Sequence, residues 1–214
     1  MFRAAIFDMD GLLLDTEGLL CRFWCEAGQE AGFPFTVVHA RHLRSLSGPY
    51  ARQYLCGIFG PDFPFDKVRD SRRAKMAAYL SEHPPVCKPG ARQLLSWLRD
   101  HHVLTAVATA TDQQRAQAYL TQTGLLPLFD KICCAPDVPR GKPMPDVYLA
   151  ACRQIHQAPS DCLALEDSPN GVLSAWRAGC RVLMVPDQTP PEPWMEPLLF
   201  GVCPTLGDVI PLLT

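Results

Sequence analysis

Asp8 and Asp10 follow an apolar run at the start of the chain, and ionisable or hydroxyl residues follow three later runs in the same way. Thr109 and Thr111 follow the second run, Lys142 sits in GKPMPD beyond the third, and Glu166 and Asp167 end the fourth. Carboxylates crowded together raise one another's pKa unless a cation neutralises them. All-oxygen donors select a hard divalent ion, which points to magnesium. Lys142 can screen the carboxylates and hold a phosphate. The Thr109 hydroxyl, with backbone N–H groups opening a helix behind it, makes a seat for an anion. Gly11 lets the backbone turn sharply after the two aspartates. Together these residues suit phosphoryl transfer. Metal and lysine offset charge on the transferring group. One carboxylate attacks to form an aspartyl-phosphate, and a second moves the proton.

Each residue alone has a plainer role. An Asp-x-Asp pair is common in loops, Lys142 fits a solvated surface, and Asp167, Thr109 and Thr111 fit turns or helix caps. The order of the whole set is what favours chemistry, because four apolar segments deliver these groups to one edge.

The elements that must position them alternate regularly. Strands are expected at 3–8, 103–108, 131–134, 162–166 and 181–185, and helices at 91–101, 112–123, 145–156 and 169–178. Short apolar strands alternating with helices of about eleven residues imply an α/β fold, a doubly wound parallel sheet covered on both faces. Ligands of such sheets bind beyond the carboxyl ends of the strands, where the polar residues fall. Between the first strand and this order lies a helical stretch, with Thr16 a plausible cap for its first helix. Residues 1–15 and 85–214 are therefore assigned to a core, and 16–84 to an inserted helical domain. A last apolar stretch near Val202–Leu213 follows a proline-rich tail.

Composition excludes other classes. The chain has 214 residues, 48% hydrophobic, and a net charge of -2, so it is globular and offers little to a nucleic-acid backbone. No apolar run is long enough to span a membrane, and the first is too short for a signal-peptide core. The ten cysteines show no CxxC pair, so they read as buried thiols of a reducing cytoplasm. Adjacent Cys133 and Cys134 should point to opposite faces of a strand.

Four segments carry a resemblance. DMDGLLLDTE at 8–17, VATAT at 107–111, GKPMPDVY at 141–148 and LEDSPNGVLSAWRAG at 165–179 resemble, in order, the four motifs of the haloacid dehalogenase superfamily. The likeness is to its phosphatase and beta-phosphoglucomutase-like branch with a helical cap. It implies a Rossmann-like core of strand order 5-4-1-2-3, with residues 16–84 as the cap. It makes Asp8 the nucleophile and Asp10 the general acid/base. Thr109 and Lys142 then hold the phosphoryl group, with Gly11, Ala110 and Thr111 at the same seat. Asp8, the backbone carbonyl of Asp10, and Asp167 would ligate magnesium, with Glu166 beside them. A cis bond at Lys142–Pro143 is common in relatives. Asp10 also argues against dehalogenase chemistry, since a departing halide needs no proton.

Substrate choice falls to the helical stretch, which has nine Lys or Arg against seven Asp or Glu. Arg41, Arg44, Arg52, Arg72, Arg73 and Lys75 are its candidates for substrate contact, and Ser45, Ser47 and Tyr50 could hydrogen-bond sugar hydroxyls. Gly48 and Leu20 stand where beta-phosphoglucomutases carry an arginine and a histidine, which weakens a mutase reading. The expectation is a magnesium-dependent phosphatase of a small phosphorylated metabolite, a sugar phosphate or relative, acting as a monomer or homodimer. A phosphomutase and a catalytically silent phosphate-binding protein are the alternatives.

Overall fold

The computed structural model describes residues 2–213. Six parallel strands form one sheet: β1 (Ala4–Phe7), β2 (Leu104–Thr109), β3 (Lys131–Cys134), β4 (Cys162–Glu166), β5 (Arg181–Met184) and β6 (Leu199–Val202). Their order is β3-β2-β1-β4-β5-β6. This is the expected five-strand order with an added edge strand, drawn from the tail that carried no clear strand pattern. Its burial alternates half-in, half-out, because one face and one edge meet solvent. The chain order places β1 at the centre, paired with β2 on one side and β4 on the other.

Period two along each strand divides the side chains between two cores. Ala5, Phe7, Val107, Leu163, Leu165 and Leu183 face one side. There they pack on α5 (Ala91–Asp100), α6 (Gln113–Gln122) and a terminal 3-10 turn at Leu206–Leu212. Ala4, Ile6, Ala106, Ala108, Ala164 and Val182 face the other. The alanines let α7 (Asp146–Gln154) and α8 (Pro169–Arg177) lie close to the sheet. Cys133 and Cys134 fall in opposite cores, as strand geometry requires.

Between β1 and α5 run α1 (Glu17–Glu30), α2 (Val37–His42), α3 (Gly48–Phe59) and α4 (Phe65–Glu82). They enclose an aromatic core of their own around Trp24, Phe35, Phe63 and Phe65. Trp24 and Phe35 stack with ring planes 5° apart. A Cβ on Gly28 would come within 2.5 Å of the Phe35 ring, so glycine sets how closely that ring seats on α1. All ten cysteines are free. No helix among the described residues is long and apolar enough to cross a membrane.

Phe35 is 1% exposed and holds this helical core together. Replacing Phe35 with Ala should destabilise the protein by about 3–5 kcal/mol, read as a lower urea midpoint at similar slope. A loss below about 1 kcal/mol would mean that the aromatic core does not set the stability of these helices.

Candidate active site

The register of the ladder brings the polar residues together. Phe7 pairs with Val107 and with Leu165, so Asp8 and Glu166 leave adjacent strands one step later on the same face. That face is the one α7 covers. Lys142, brought in by the loop after β3, fills the space with no exposure at all, and its bond to Pro143 is cis. The Lys142 ammonium donates to Asp8 Oδ1 and, at 2.6 Å, to Glu166 Oε1. Tyr148 on α7 donates its hydroxyl to the same Glu166 oxygen at 2.6 Å. Burial alone would lower the lysine's pKa, but Asp8 and Glu166 outweigh it and hold the ammonium charged.

Two glycines are steric requirements here. A Cβ at Gly171, in the first turn of α8, would lie 2.0 Å from the Glu166 carboxyl carbon. Gly11 has a positive φ of 87°, and a Cβ there would lie 2.4 Å from Asp167 Oδ2.

Asp8, Glu166 and Asp167 each offer an oxygen within 4.8 Å of the others. Asp8 Oδ2, Glu166 Oε2 and both Asp167 oxygens are buried without a hydrogen-bond partner. Unpartnered buried carboxylate oxygens are costly, and a divalent cation is the species that satisfies several at once. The donor set therefore fits a hard metal ion. Burial pushes Asp8 up to about 8, against the pull of Lys142 and with added repulsion from Glu166. Burial also holds Asp167 well above the usual carboxylate range, helped by Asp8, Glu17 and Glu166 and opposed by Arg44.

Asp10 is held differently. Its Oδ1 accepts from the Thr16 hydroxyl at 2.7 Å, and its Oδ2 from the Thr111 hydroxyl at 2.7 Å. The carboxylate thus stands outside the three-acid cluster, oriented by two hydroxyls. Thr16 occupies the N-cap position of α1, but its side chain makes no capping bond, because its hydroxyl is committed to Asp10. Its expected role as a helix cap is corrected in that respect. Thr111 also donates its backbone N–H to the Thr109 hydroxyl at 3.0 Å. Asp112, with its side chain accepting from the Arg115 N–H, caps α6 behind them.

A cavity of about 110 Å³ opens above these groups, between the strand ends and the helices of residues 17–82. Asp8, Asp10, Thr109, Ala110, Thr111 and Ser45 line it, as does Glu17. Ser45 sits in the left-handed region at φ 55°. Arg52 is not brought there. Its guanidinium pairs with Asp66 and lies over the Phe65 ring, and the side chain is about half exposed. Arg44 reaches the acids instead, with Nη1 3.6 Å from Asp167 Oδ2 and Nη2 donating to Thr189. Its loop is tied to the core: Asn170 donates to the carbonyls of His42 and Arg44 at 3.2 and 3.0 Å, and Ser47 N–H to that of Lys142 at 3.1 Å.

Sequence reasoning assigned no site role to Thr16, Glu17 or Tyr148. Each stood inside a quoted motif, DMDGLLLDTE or GKPMPDVY, and that position was the available signal. Burial pushes the Glu17 carboxyl well up, with Asp10 adding repulsion, so it lines the cavity as an acid that resists ionisation.

A parallel α/β sheet with a lysine-bridged acidic centre beyond its carboxyl ends defines a class of hydrolytic enzyme. A model of the haloacid dehalogenase-like hydrolases matches residues 2–179, and the chain belongs to that family. It is 35% identical over 182 residues to validoxylamine A 7'-phosphate phosphatase of Streptomyces hygroscopicus subsp. limoneus, covering 84% of this chain and 83% of that protein. It is 31% identical over 192 residues to hexitol phosphatase B of Escherichia coli (strain K12), covering 86% and 83%. The solved structure of a hydrolase from Pseudomonas syringae shares the fold, with a TM-score of 0.86 at 23% identity over 98% of this chain and 97% of that one. Family and relatives together make the chain a phosphoric monoester hydrolase.

Carboxyls whose pKa is raised on folding bind protons more tightly folded than unfolded. Their cost without a cation is absent below about pH 4, the ordinary carboxylate value, and grows as pH rises toward about 8, where burial places Asp8. Millimolar magnesium should therefore raise the melting temperature more at pH 8 than at pH 5.5. Asp167→Asn should lose most of that gain while its metal-free form is no less stable than the parent. An undiminished gain in the variant would remove Asp167 from the cation site.

Proposed function

We propose that the protein is a magnesium-dependent phosphatase of a small phosphomonoester, a sugar phosphate or related metabolite, working through an aspartyl-phosphate on Asp8. The observation that carries this reading is the contrast between two aspartates two residues apart. Asp8 is clamped by Lys142 in an acidic cluster, while Asp10 is oriented toward the same cavity by Thr16 and Thr111.

Asp8, the backbone carbonyl of Asp10, and Asp167 would hold the magnesium ion, whose charge offsets that of the transferring phosphoryl group. Lys142 adds positive charge beside Asp8, and its ammonium opposes the effect of burial and favours the carboxylate anion. Thr109, with the backbone around Gly11, Ala110 and Thr111, receives the phosphoryl oxygens. Asp8 attacks phosphorus and the ester bond to the alcohol breaks. Asp10 gives its proton to the departing oxygen. It then takes a proton from the water that attacks the aspartyl-phosphate, which frees inorganic phosphate and restores Asp8. Glu166 serves as the second anchor of Lys142 and lies beside the metal position.

Residues 16–84 act as a cap over a site formed by 1–15 and 85–214, excluding bulk water during transfer. Ser45 lines the cavity from that side, while Arg52, paired with Asp66, is assigned to the surface. The relatives named validoxylamine A 7'-phosphate phosphatase and hexitol phosphatase B support a polyhydroxy substrate. The ten free cysteines suit the cytoplasm.

Phosphate release from a panel of sugar phosphates, nucleotides and an aryl phosphate, with and without magnesium, tests this reading. Asp8→Asn should abolish release while leaving the melting temperature near that of the parent. Asp10→Asn should cost about 10²–10⁴-fold on alkyl phosphates and less on p-nitrophenyl phosphate, whose leaving group needs no proton. Near-normal turnover by Asp8→Asn, or equal losses on both substrate types by Asp10→Asn, would sink the assigned roles.

A further inference from the structure

Five arginines line the cavity, and four of them have a carboxylate within ion-pair distance. Arg44 lies 3.6 Å from Asp167, Arg69 3.1 Å from Asp70, Arg73 3.8 Å from Asp70 and Arg115 2.7 Å from Asp112. Arg72 has none among the described residues. It is only 8% exposed, and its buried Nε has no hydrogen-bond partner. Its guanidinium lies 5.1 Å above the Trp24 ring, which braces it from the helical side.

Its charged neighbours make the arrangement worse rather than better. Arg73 on the same helix and Arg115 on α6 both repel it, and the buried Nε of Arg73 also lacks a partner. Burial, then these two cations, lowers the pKa of Arg72 to about 10, so it remains charged at neutral pH. Asp10 attracts it, but both Asp10 oxygens already accept hydrogen bonds from Thr16 and Thr111. A buried cation with unmade donors and like charges around it is unfavourable in isolation. An anion entering the cavity relieves both defects at once.

We propose that Arg72, with Arg73 and Arg115 beside it, binds a second anionic group at the end of the substrate away from the scissile ester. The preferred substrate is then a small phosphomonoester that also carries a second phosphate or a carboxylate. This rests on the phosphatase reading above and narrows it. The Asp8, Thr109 and Lys142 groups take the transferring phosphoryl, and the arginines take the far end. Arg72 and Arg73 come from α4 and Arg115 from α6, so one bound anion would join the helical segment to the sheet core. Arg72 is thus a specificity residue.

Matched substrates test it: fructose 1-phosphate against fructose 1,6-bisphosphate, and glycerol 1-phosphate against 3-phosphoglycerate. Phosphate release should show kcat/KM about 10- to 100-fold higher for the member with the second anion, chiefly through KM and weakening with added salt. The pair with the larger ratio tells phosphate from carboxylate. Arg72→Met should collapse the ratio, and Arg72→Lys should restore part of it. Arg73→Gln should reduce it and serves as the test variant if Arg72→Met does not fold by circular dichroism. Equal kcat/KM within both pairs, or a ratio that survives loss of the Arg72 charge, overturns the inference and leaves the phosphatase reading intact. If the parent chain releases phosphate from nothing, calorimetric binding of fructose 1,6-bisphosphate against fructose 1-phosphate decides. A preference lost in Arg72→Met, or in Arg73→Gln where Arg72→Met does not fold, keeps the anion site while the phosphatase reading falls. No preference removes the inference as well.

Discussion

The Lys142 ammonium, sealed between Asp8 and Glu166, imposes the constraint that the rest of the site obeys. A charged group with no exposure is tolerable only if its donors are met by ionised acceptors and those acceptors are themselves held. Glu166 is therefore fixed by Tyr148 from α7 and by the missing side chain at Gly171 on α8. Bringing Lys142 into that space fixes the loop after β3, and that loop in turn receives the Ser47 N–H from the helical segment. One buried ion cluster thus ties β1, β4, α7, α8 and the loop entering α3.

The cluster holds more carboxyl groups than cations. Asp8 and Glu166 share one ammonium, and Asp167 adds a third carboxylate whose nearest cation, Arg44, stands off at 3.6 Å. Several carboxylate oxygens remain buried and unpartnered, which is the signature of a place shaped for a cation rather than of a structural salt bridge. On the opposite wall of the cavity the imbalance reverses, with guanidiniums crowding one another. The two walls belong to different parts of the chain. The acids stand at strand ends of the sheet, and most of the arginines stand on helices between β1 and α5. A phosphorylated ligand together with a cation held by the acids would complement both walls.

The helical segment has an aromatic core of its own around Trp24 and Phe35, while Phe23 on α1 and Met76 and Leu80 on α4 join the apolar core on one face of the sheet. Its ties to the sheet core near the site are mostly polar: Asn170 to the carbonyls of residues 42 and 44, Ser47 to Lys142, and Arg44 to Thr189. Hydrogen bonds of this kind exchange with water at little net cost, whereas an apolar core does not.

Much of this was legible in the chain itself. Short apolar runs alternating with helical stretches located five of six strands, and β3 spans the expected residues Lys131–Cys134. The rule that parallel sheets carry polar groups at the carboxyl ends of their strands singled out Asp8, Asp10, Thr109, Lys142, Glu166 and Asp167, because strand ends are a local property. The edge strand β6 escaped, since its half-exposed residues lack a buried strand's pattern. Thr16 read as a helix cap, and only the fold turns its hydroxyl to Asp10. Arg44 and Arg52 were indistinguishable as cations of one helical stretch, until packing sent one to Asp167 and the other to Asp66. Residue type and strand phase are written along the chain, so the sequence by itself determined the fold class and the acidic centre. Which distant side chains meet depends on loop paths and helix rotation. The tertiary structure alone therefore decided which charges meet and which of the cavity's arginines has no carboxylate beside it among the described residues.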